Sequence, residues 1–120
     1  MNGSGGEVSD NCLFCRIARH EIPSTVVMEN EHYMAFRDVH PQAPVHILII
    51  PKAHVGSLNE IGDFAMVGKM TELATELAEQ EGIAERGYRV VVNTNADGGQ
   101  TVFHLHLHLL GGRSLGWPPG

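Results

Sequence analysis

Alternation of histidine and leucine between His104 and Leu110 constrains this chain more than any other feature of its sequence. Successive side chains of a β-strand point to opposite faces, so the run predicts a strand over residues 102–110. One face would carry His104, His106 and His108, about 7 Å apart, and the core face would carry Phe103, Leu105, Leu107 and Leu109. The leucines fix the register, because a slip by one residue would bury the three imidazoles.

A rigid row of imidazoles has three interpretations. It can be a solvated strand, a zinc site with an open coordination position, or a centre for nucleophilic and acid–base catalysis at phosphorus. The loop before the row, Gly98-Gly99-Gln100-Thr101, offers backbone N–H groups, an amide and a hydroxyl. Such uncharged donors suit a phosphate. The loop therefore favours catalysis at phosphorus.

The remaining sequence predicts one α+β domain. Apolar periodicity indicates a short helix over 13–20 and a long helix over 63–81, and β-rich runs indicate strands at 25–29, 32–37, 46–50 and 88–93. Residues 1–11 are polar and rich in glycine and serine, which predicts a disordered tail before a single domain over 12–120. Hydrophobic residues make up 42% of the chain, enough for a real core.

Charge and cysteine content narrow the partners and the compartment. The chain carries 8 Lys and Arg against 14 Asp and Glu, a net charge of −6, which argues against nucleic-acid and membrane-surface partners. It has no apolar run of the roughly 18 residues that a membrane span requires. Cys12 and Cys15 are too close in sequence for a disulfide that would stabilise the fold, so they suggest metal or redox chemistry in a reducing compartment. We expect a cytoplasmic protein.

The run Gly98–Arg113 resembles the signature of the histidine-triad family, in particular its Hint branch of nucleoside phosphoramidases. Further similarity lies in Phe36–His46, Ile50–His54 and Trp117–Gly120, so it covers nearly everything from Cys12 onward. The resemblance implies an antiparallel five-stranded sheet with one short N-terminal and one long central helix. It also implies a homodimer whose edge strands pair into a ten-stranded sheet.

By the same resemblance, the chain would hydrolyse purine nucleoside phosphoramidates at the P–N bond and aminoacyl adenylates by attack at the same α-phosphorus, without a catalytic cofactor. His106 would be the nucleophile, His108 would contact the phosphate and help protonate the amine, and His46 and His104 would orient the row. The nucleotide would be held by His106 and His108 together with Asp38 at the ribose, Val39 at the base, and Asn93, Gly99, Gln100 and Thr101 at the phosphate and leaving group.

Some bacterial members with a CxxC pair bind a structural zinc, and the similarity implies Cys12, Cys15, His54 and His104 as ligands here. Three other functions stay open at this point. They are a dinucleoside polyphosphate hydrolase, a non-catalytic nucleotide-sensing or scaffold dimer, and a metalloenzyme with zinc on the histidine row.

Overall fold

The computed structural model describes residues 11–120. Residues 1–10 of the predicted tail therefore lie outside the described residues. The helices are α1 (Leu13–Ala18), α2 (Ala65–Gln80) and the short α3 (Asn95–Gly98), with a 3₁₀ turn at Leu58–Glu60. The strands are β1 (Val26–Glu29), β2 (Tyr33–Arg37), β3 (Val45–Pro51), β4 (Tyr88–Val91) and β5 (Leu107–Gly111).

The five strands form one antiparallel sheet in the order β1-β2-β3-β5-β4. Both faces of its centre are covered. On one face, alternate residues of β3 and β5 pack on the buried stripe of α2, a cluster that includes Ile47, Leu109 and Met70. On the other face, Phe36 and Leu48 pack on Phe14 of α1. The predicted fold class is confirmed.

The long helix follows from agreement between local and tertiary signals. Its buried residues, Met70, Ala74, Leu77 and Ala78, recur at three- and four-residue spacing and meet the sheet. Gly82 follows the helix end with φ +75°, a left-handed conformation that favours glycine. No helix within residues 11–120 combines the length and apolarity needed to cross a membrane.

Two expectations near the C-terminus are wrong. The last strand begins at Leu107 rather than residue 102, so the chain through His104 and His106 is irregular, and Phe103 is 53% exposed rather than in the core. The Leu105 N–H donates to Val55 O at 2.6 Å, a contact outside any strand ladder, which explains the late start.

Candidate active site

His46 and His108 meet on the α1 face of the sheet. In the β3–β5 ladder, His46 lies opposite Leu110 and His108 lies opposite Leu48, so the two histidines are diagonal neighbours on one face. The His46 Nε2 atom lies 2.9 Å from His108 Nδ1, and the ring centroids are 5.2 Å apart. The row predicted from one strand is thus completed by a histidine from the adjacent strand.

Hydrogen bonds assign the protons of this pair. The Gln42 backbone N–H donates to His46 Nδ1 at 3.0 Å, so neutral His46 carries its proton on Nε2. That Nε2–H donates to His108 Nδ1, and neutral His108 therefore carries its proton on Nε2. One backbone donor thus orders two imidazoles and leaves the His108 N–H available for a ligand.

His106 has the opposite proton arrangement. Its Nδ1–H donates to the backbone oxygen of His104 at 2.7 Å, which leaves the lone pair on Nε2. The ring packs edge-on against Phe14 with centroids 5.0 Å apart, and against His108 at 4.9 Å. These contacts fix the ring orientation, so a basic nitrogen is held ready without a proton.

Burial keeps these imidazoles neutral. Desolvation lowers the pKa of His46 and of His106, although the Asp38 carboxylate raises both. The pKa of His108 falls to about 4, chiefly through desolvation, with further lowering by His106 and His46. Asp38 Oδ2 lies 3.4 Å from His46 Nε2, and because the net shift of His46 is downward, this contact joins a carboxylate to a neutral ring.

The ligand atoms of Asp38, His46 and His108 lie within 4.8 Å of one another, which is close enough to hold a metal ion. The proton order argues against that use. A metal at His46 Nε2 would need the Nε2 proton removed while Nδ1 still accepts the Gln42 N–H. The Gln42 peptide therefore favours an acid–base pair over a metal centre.

A second cluster joins α1 to the start of the row and brings together Cys12, Cys15, His54 and His104, with ligand atoms again within 4.8 Å. His104 Nδ1 lies 3.3 Å from Cys12 Sγ, and His54 Nδ1 lies 3.3 Å from Cys15 Sγ. Tetrahedral zinc with bonds of about 2.0–2.3 Å spaces its ligands comparably. His104 Nε2–H donates to Pro51 O at 2.7 Å, which aims the Nδ1 lone pair at the thiols.

The geometry and chemistry of this donor set fit Zn²⁺. His104 is 0% exposed and desolvation lowers its pKa to about 4, so its ring is available as a neutral ligand. His104 accordingly serves both predicted clusters by different atoms, since its ring faces the thiols and its carbonyl orients His106.

The Gln100 side chain organises the loop Gly98–Thr101, and its amide is already engaged in hydrogen bonds within the protein. The Gln100 amide donates to Gly56 O and Val102 O and accepts from the Asn95 N–H, and the residue is only 5% exposed. Its side chain therefore holds the loop together through three hydrogen bonds to main-chain atoms. Gly99 has φ +87° and lies beside the Asn93 amide, while Thr101 is exposed.

The remaining predicted residues divide by exposure. Asp38 follows β2, with one oxygen accepting the His40 N–H at 2.8 Å, and Val39 beside it is 83% exposed and open to a base. His20, His32 and His40 are exposed. Sequence reasoning missed the Gln42 N–H, the Pro51 carbonyl and the Phe14 ring. The first two are main-chain groups that no side-chain pattern could have revealed.

Comparison with known proteins finds relatives of this chain in one family. A family model described as the HIT domain matches residues 19–115. The purine nucleoside phosphoramidase of Escherichia coli K12 is 49% identical over 111 residues, covering 91% of this chain and 93% of that protein. The 14 kDa zinc-binding protein of Zea mays is 50% identical over 112 residues, covering 90% and 87%.

Among solved structures, the HIT family hydrolase of Legionella pneumophila Philadelphia 1 superposes with a TM-score of 0.89 at 54% identity. The match covers 92% of this chain and 100% of that one.

Proposed function

The chain belongs to the HIT domain family, and we propose that it hydrolyses the P–N bond of purine nucleoside phosphoramidates and the P–O bond to the acyl group of aminoacyl adenylates, releasing the nucleoside monophosphate. Its relationship to a phosphoramidase and to HIT family hydrolases supports hydrolytic chemistry. The observation that carries the proposal is the unprotonated Nε2 of His106, fixed by the bond from Nδ1–H to the His104 oxygen at 2.7 Å.

In the first step, the His106 Nε2 lone pair attacks the α-phosphorus and the P–N bond to the amine breaks. The ring becomes positively charged, and the His104 carbonyl that accepts its Nδ1–H stabilises that charge. The amine departs with the proton from His108 Nε2. Before this transfer the ring takes up a second proton from solvent, because the bound anionic phosphate raises the pKa of His108, so His108 gives the proton as an imidazolium and is left neutral.

In the second step, water attacks the phosphorus of the nucleotidyl-His106 intermediate and the P–Nε2 bond breaks. His108 Nε2, now without its proton, accepts one from the water, and both histidines return to their starting states when His108 releases its second proton to solvent as the product leaves. His46 holds His108 in the required tautomer through the 2.9 Å bond. His46 and His104 are thus positioning residues in this proposal.

The nucleotide is held by neutral donors. We place the ribose at Asp38 and the base against exposed Val39, with Asn93, the Gly99 backbone and Thr101 near the phosphate and leaving group. Gln100 contributes by holding the loop, since its amide bridges Gly56 and Val102. Backbone and hydroxyl donors can stabilise developing charge at phosphorus without reorganising.

A structural zinc is part of the proposal, held by Cys12, Cys15, His54 and His104. The donor set and the zinc-binding relative support it. When bound, Zn²⁺ would supply a closed tetrahedral cross-link and no open position for water. The two cysteines lie at the start of α1, so the cluster ties this helix to the sheet beneath the catalytic row.

We also propose a homodimer formed through the edge strand β4 and helix α2. β4 ends the sheet, and Val90 on it is 37% exposed. An open edge of this kind favours pairing with a second strand. Light scattering of the full chain should give about twice its 13.1 kDa mass, and a clean monomer would contradict the proposed pairing.

The decisive test of activity is turnover of an adenosine phosphoramidate that carries a reporter amine. Replacing His106 by alanine should reduce kcat by at least about a thousandfold, as expected for a lost nucleophile. His32→Ala is the matched control, because His32 is exposed and away from the row. Equal turnover by wild type and H106A would leave a pocket that binds nucleotides without hydrolysing them.

A further inference from the structure

Three arginines differ from the other cations of this acidic chain. Five of the eight Lys and Arg residues lie within 4.0 Å of a carboxylate: Arg16, Arg19, Arg37, Lys52 and Lys69. Within residues 11–120 of a single protomer, Arg86, Arg89 and Arg113 have no such carboxylate neighbour. A chain of net charge −6 has acidic groups to spare, so this lack of pairing requires an explanation.

The three arginines line one continuous depression. A cavity of about 340 Å³ is bordered by Arg86 and Arg113 together with Ser114. An adjoining cavity of about 260 Å³ shares these three residues and adds Arg89. The depression lies where β4 begins and β5 ends, since Tyr88 pairs with Gly111 in the ladder. It brings Arg113 together with Arg86 and Arg89, which lie 27 and 24 residues before it in the sequence.

Two of the guanidinium groups are held in place without being neutralised. Arg113 Nε donates to Gln42 O at 3.1 Å and its Nη1 donates to Ser114 O at 2.8 Å. Arg89 Nη2 donates to Gly116 O at 2.7 Å. Uncharged carbonyls fix the side chains and leave their full positive charge available. Arg86 has no protein hydrogen bond in the described residues and keeps all its donors for a ligand.

Three glycines line the depression beside the side chains of Ile83, Tyr88 and Leu115. Gly82, Gly87 and Gly112 have φ of +75°, +116° and +91°, conformations that favour glycine. A Cβ at Gly82 or Gly87 would meet nothing within 4 Å, so both positions open onto free space. The cavity volumes and the three glycines leave room for a compact ligand between the arginines.

We propose that this depression, defined by Arg86, Arg89, Arg113 and Ser114, is a binding site for a phosphate group, separate from the histidine row. A phosphate dianion has three terminal oxygens and matches several planar guanidinium groups, whose paired N–H donors bind it in bidentate fashion. The Ser114 hydroxyl adds a neutral donor. The phosphate can be inorganic or the phosphomonoester of a nucleotide, because the arginines recognise chemistry common to both.

The test is a ¹H–¹⁵N NMR titration of the full chain at constant ionic strength, once with inorganic phosphate and once with adenosine monophosphate. Either ligand should shift the amide resonances of Gly87, Gly112 and Ser114. Arg86→Gln should weaken this binding about tenfold, the cost of one charge-assisted contact. Because Arg86 makes no protein hydrogen bond, R86Q leaves the fold intact, and the R86Q/R113Q double variant should abolish the shifts.

Arg16→Gln is the matched control, since Arg16 is an exposed cation with a carboxylate partner, and its titration should equal that of wild type. Shifts with inorganic phosphate identify a free-phosphate site, and shifts with the nucleotide alone identify a phosphomonoester site. Shifts confined to residues 93–108 would overturn the proposal. So would loss of the dimer in R86Q without any phosphate effect, because the arginines would then pair with acidic groups of a second copy.

Discussion

His104 and His106 are neighbours in the histidine row, yet they carry their protons on opposite ring nitrogens. His104 keeps its lone pair on Nδ1, because Nε2–H donates to Pro51 O, and the lone pair faces two thiols inside the protein. His106, two residues later, keeps its lone pair on Nε2, because Nδ1–H donates to His104 O. The role of each imidazole is therefore selected by the backbone carbonyl that takes its proton, and residue type alone does not determine it.

This difference separates stability from chemistry within three residues. His104 belongs to a cluster beneath α1, which we call the closed end of the row and expect to stabilise the fold. His106, His108 and His46 form the open end, which we expect to perform catalysis. If the separation is real, one end can be damaged with little effect on the other, and each prediction below tests one side of it.

The largest effect should come from the closed end. Replacing Cys15 by serine removes a fully buried thiol that we propose as a zinc ligand, so we expect zinc content to fall far below one per chain and the free energy of unfolding to fall by about 3 kcal/mol or more. The molecules that remain folded should keep most of their kcat. Metal analysis, melting curves and turnover per folded molecule measure these three quantities.

The control for this variant is Ile17→Val, which trims a buried residue of α1 and leaves all four ligands in place. It should cost about 1 kcal/mol and retain zinc. A chelator should lower the melting temperature of wild type and of I17V but leave C15S unchanged. Wild-type protein without zinc, melting identically with and without chelator, would remove the proposed cross-link.

At the open end, Gln42→Pro deletes the backbone N–H that sets the proton order and keeps the histidines themselves. His46 can then carry its proton on Nδ1, and its Nε2 lone pair would require the His108 proton on Nδ1 as well. The leaving amine loses its proton donor, and we expect kcat to fall about 10- to 100-fold. The ¹⁵N shifts of the two rings should report the exchanged tautomers.

Gln42→Ala provides the matched control, because it removes the side chain and retains the N–H. Its kcat and its ¹⁵N shifts should equal those of wild type. If Q42P and Q42A behave alike, the proton order is set elsewhere and Gln42 has no positioning role.

The difference between side-chain patterns and contacts to main-chain atoms explains which parts of the structure could be predicted from the sequence. Helix α2 was predictable because its apolar spacing is both a local pattern and the surface that packs on the sheet. The start of β5 was mispredicted because His–Leu alternation continues to residue 104, whereas the His104 ring bonds to Pro51 O and the Leu105 N–H to Val55 O. Such long-range bonds to main-chain atoms leave no pattern in the sequence.

The candidate site shows the same limit. The triad histidines were evident from alternation, and His54 entered only through family resemblance, because it lies 39 residues from Cys15. Gln100 carried a side chain suited to phosphate, yet the structure uses its amide to bridge Gly56 and Val102. Residue type indicated that the loop matters, and only the three-dimensional arrangement showed which of its atoms are free.

The smallest effect is the pH dependence of the free energy of unfolding, which tests whether burial keeps His108 at the open end neutral. Burial lowers the pKa of folded His108 from 6.5 to about 4, so the unfolded chain binds this proton first as the solution is acidified. The stability that neutral His108 contributes is complete above pH 6.5 and is lost as the pH falls from 6.5 to about 4. Wild type should therefore lose about 1–2 kcal/mol more than His108→Gln between pH 7 and pH 5.

Urea denaturation of both proteins, saturated with zinc, measures this difference. Protonation of the zinc ligands affects wild type and variant equally and cancels in the comparison. Parallel loss of stability in the two proteins would show that His108 is not held neutral by burial. The open end would then differ from the closed end in solvent exposure as well as in proton order, and His108 could enter catalysis already protonated.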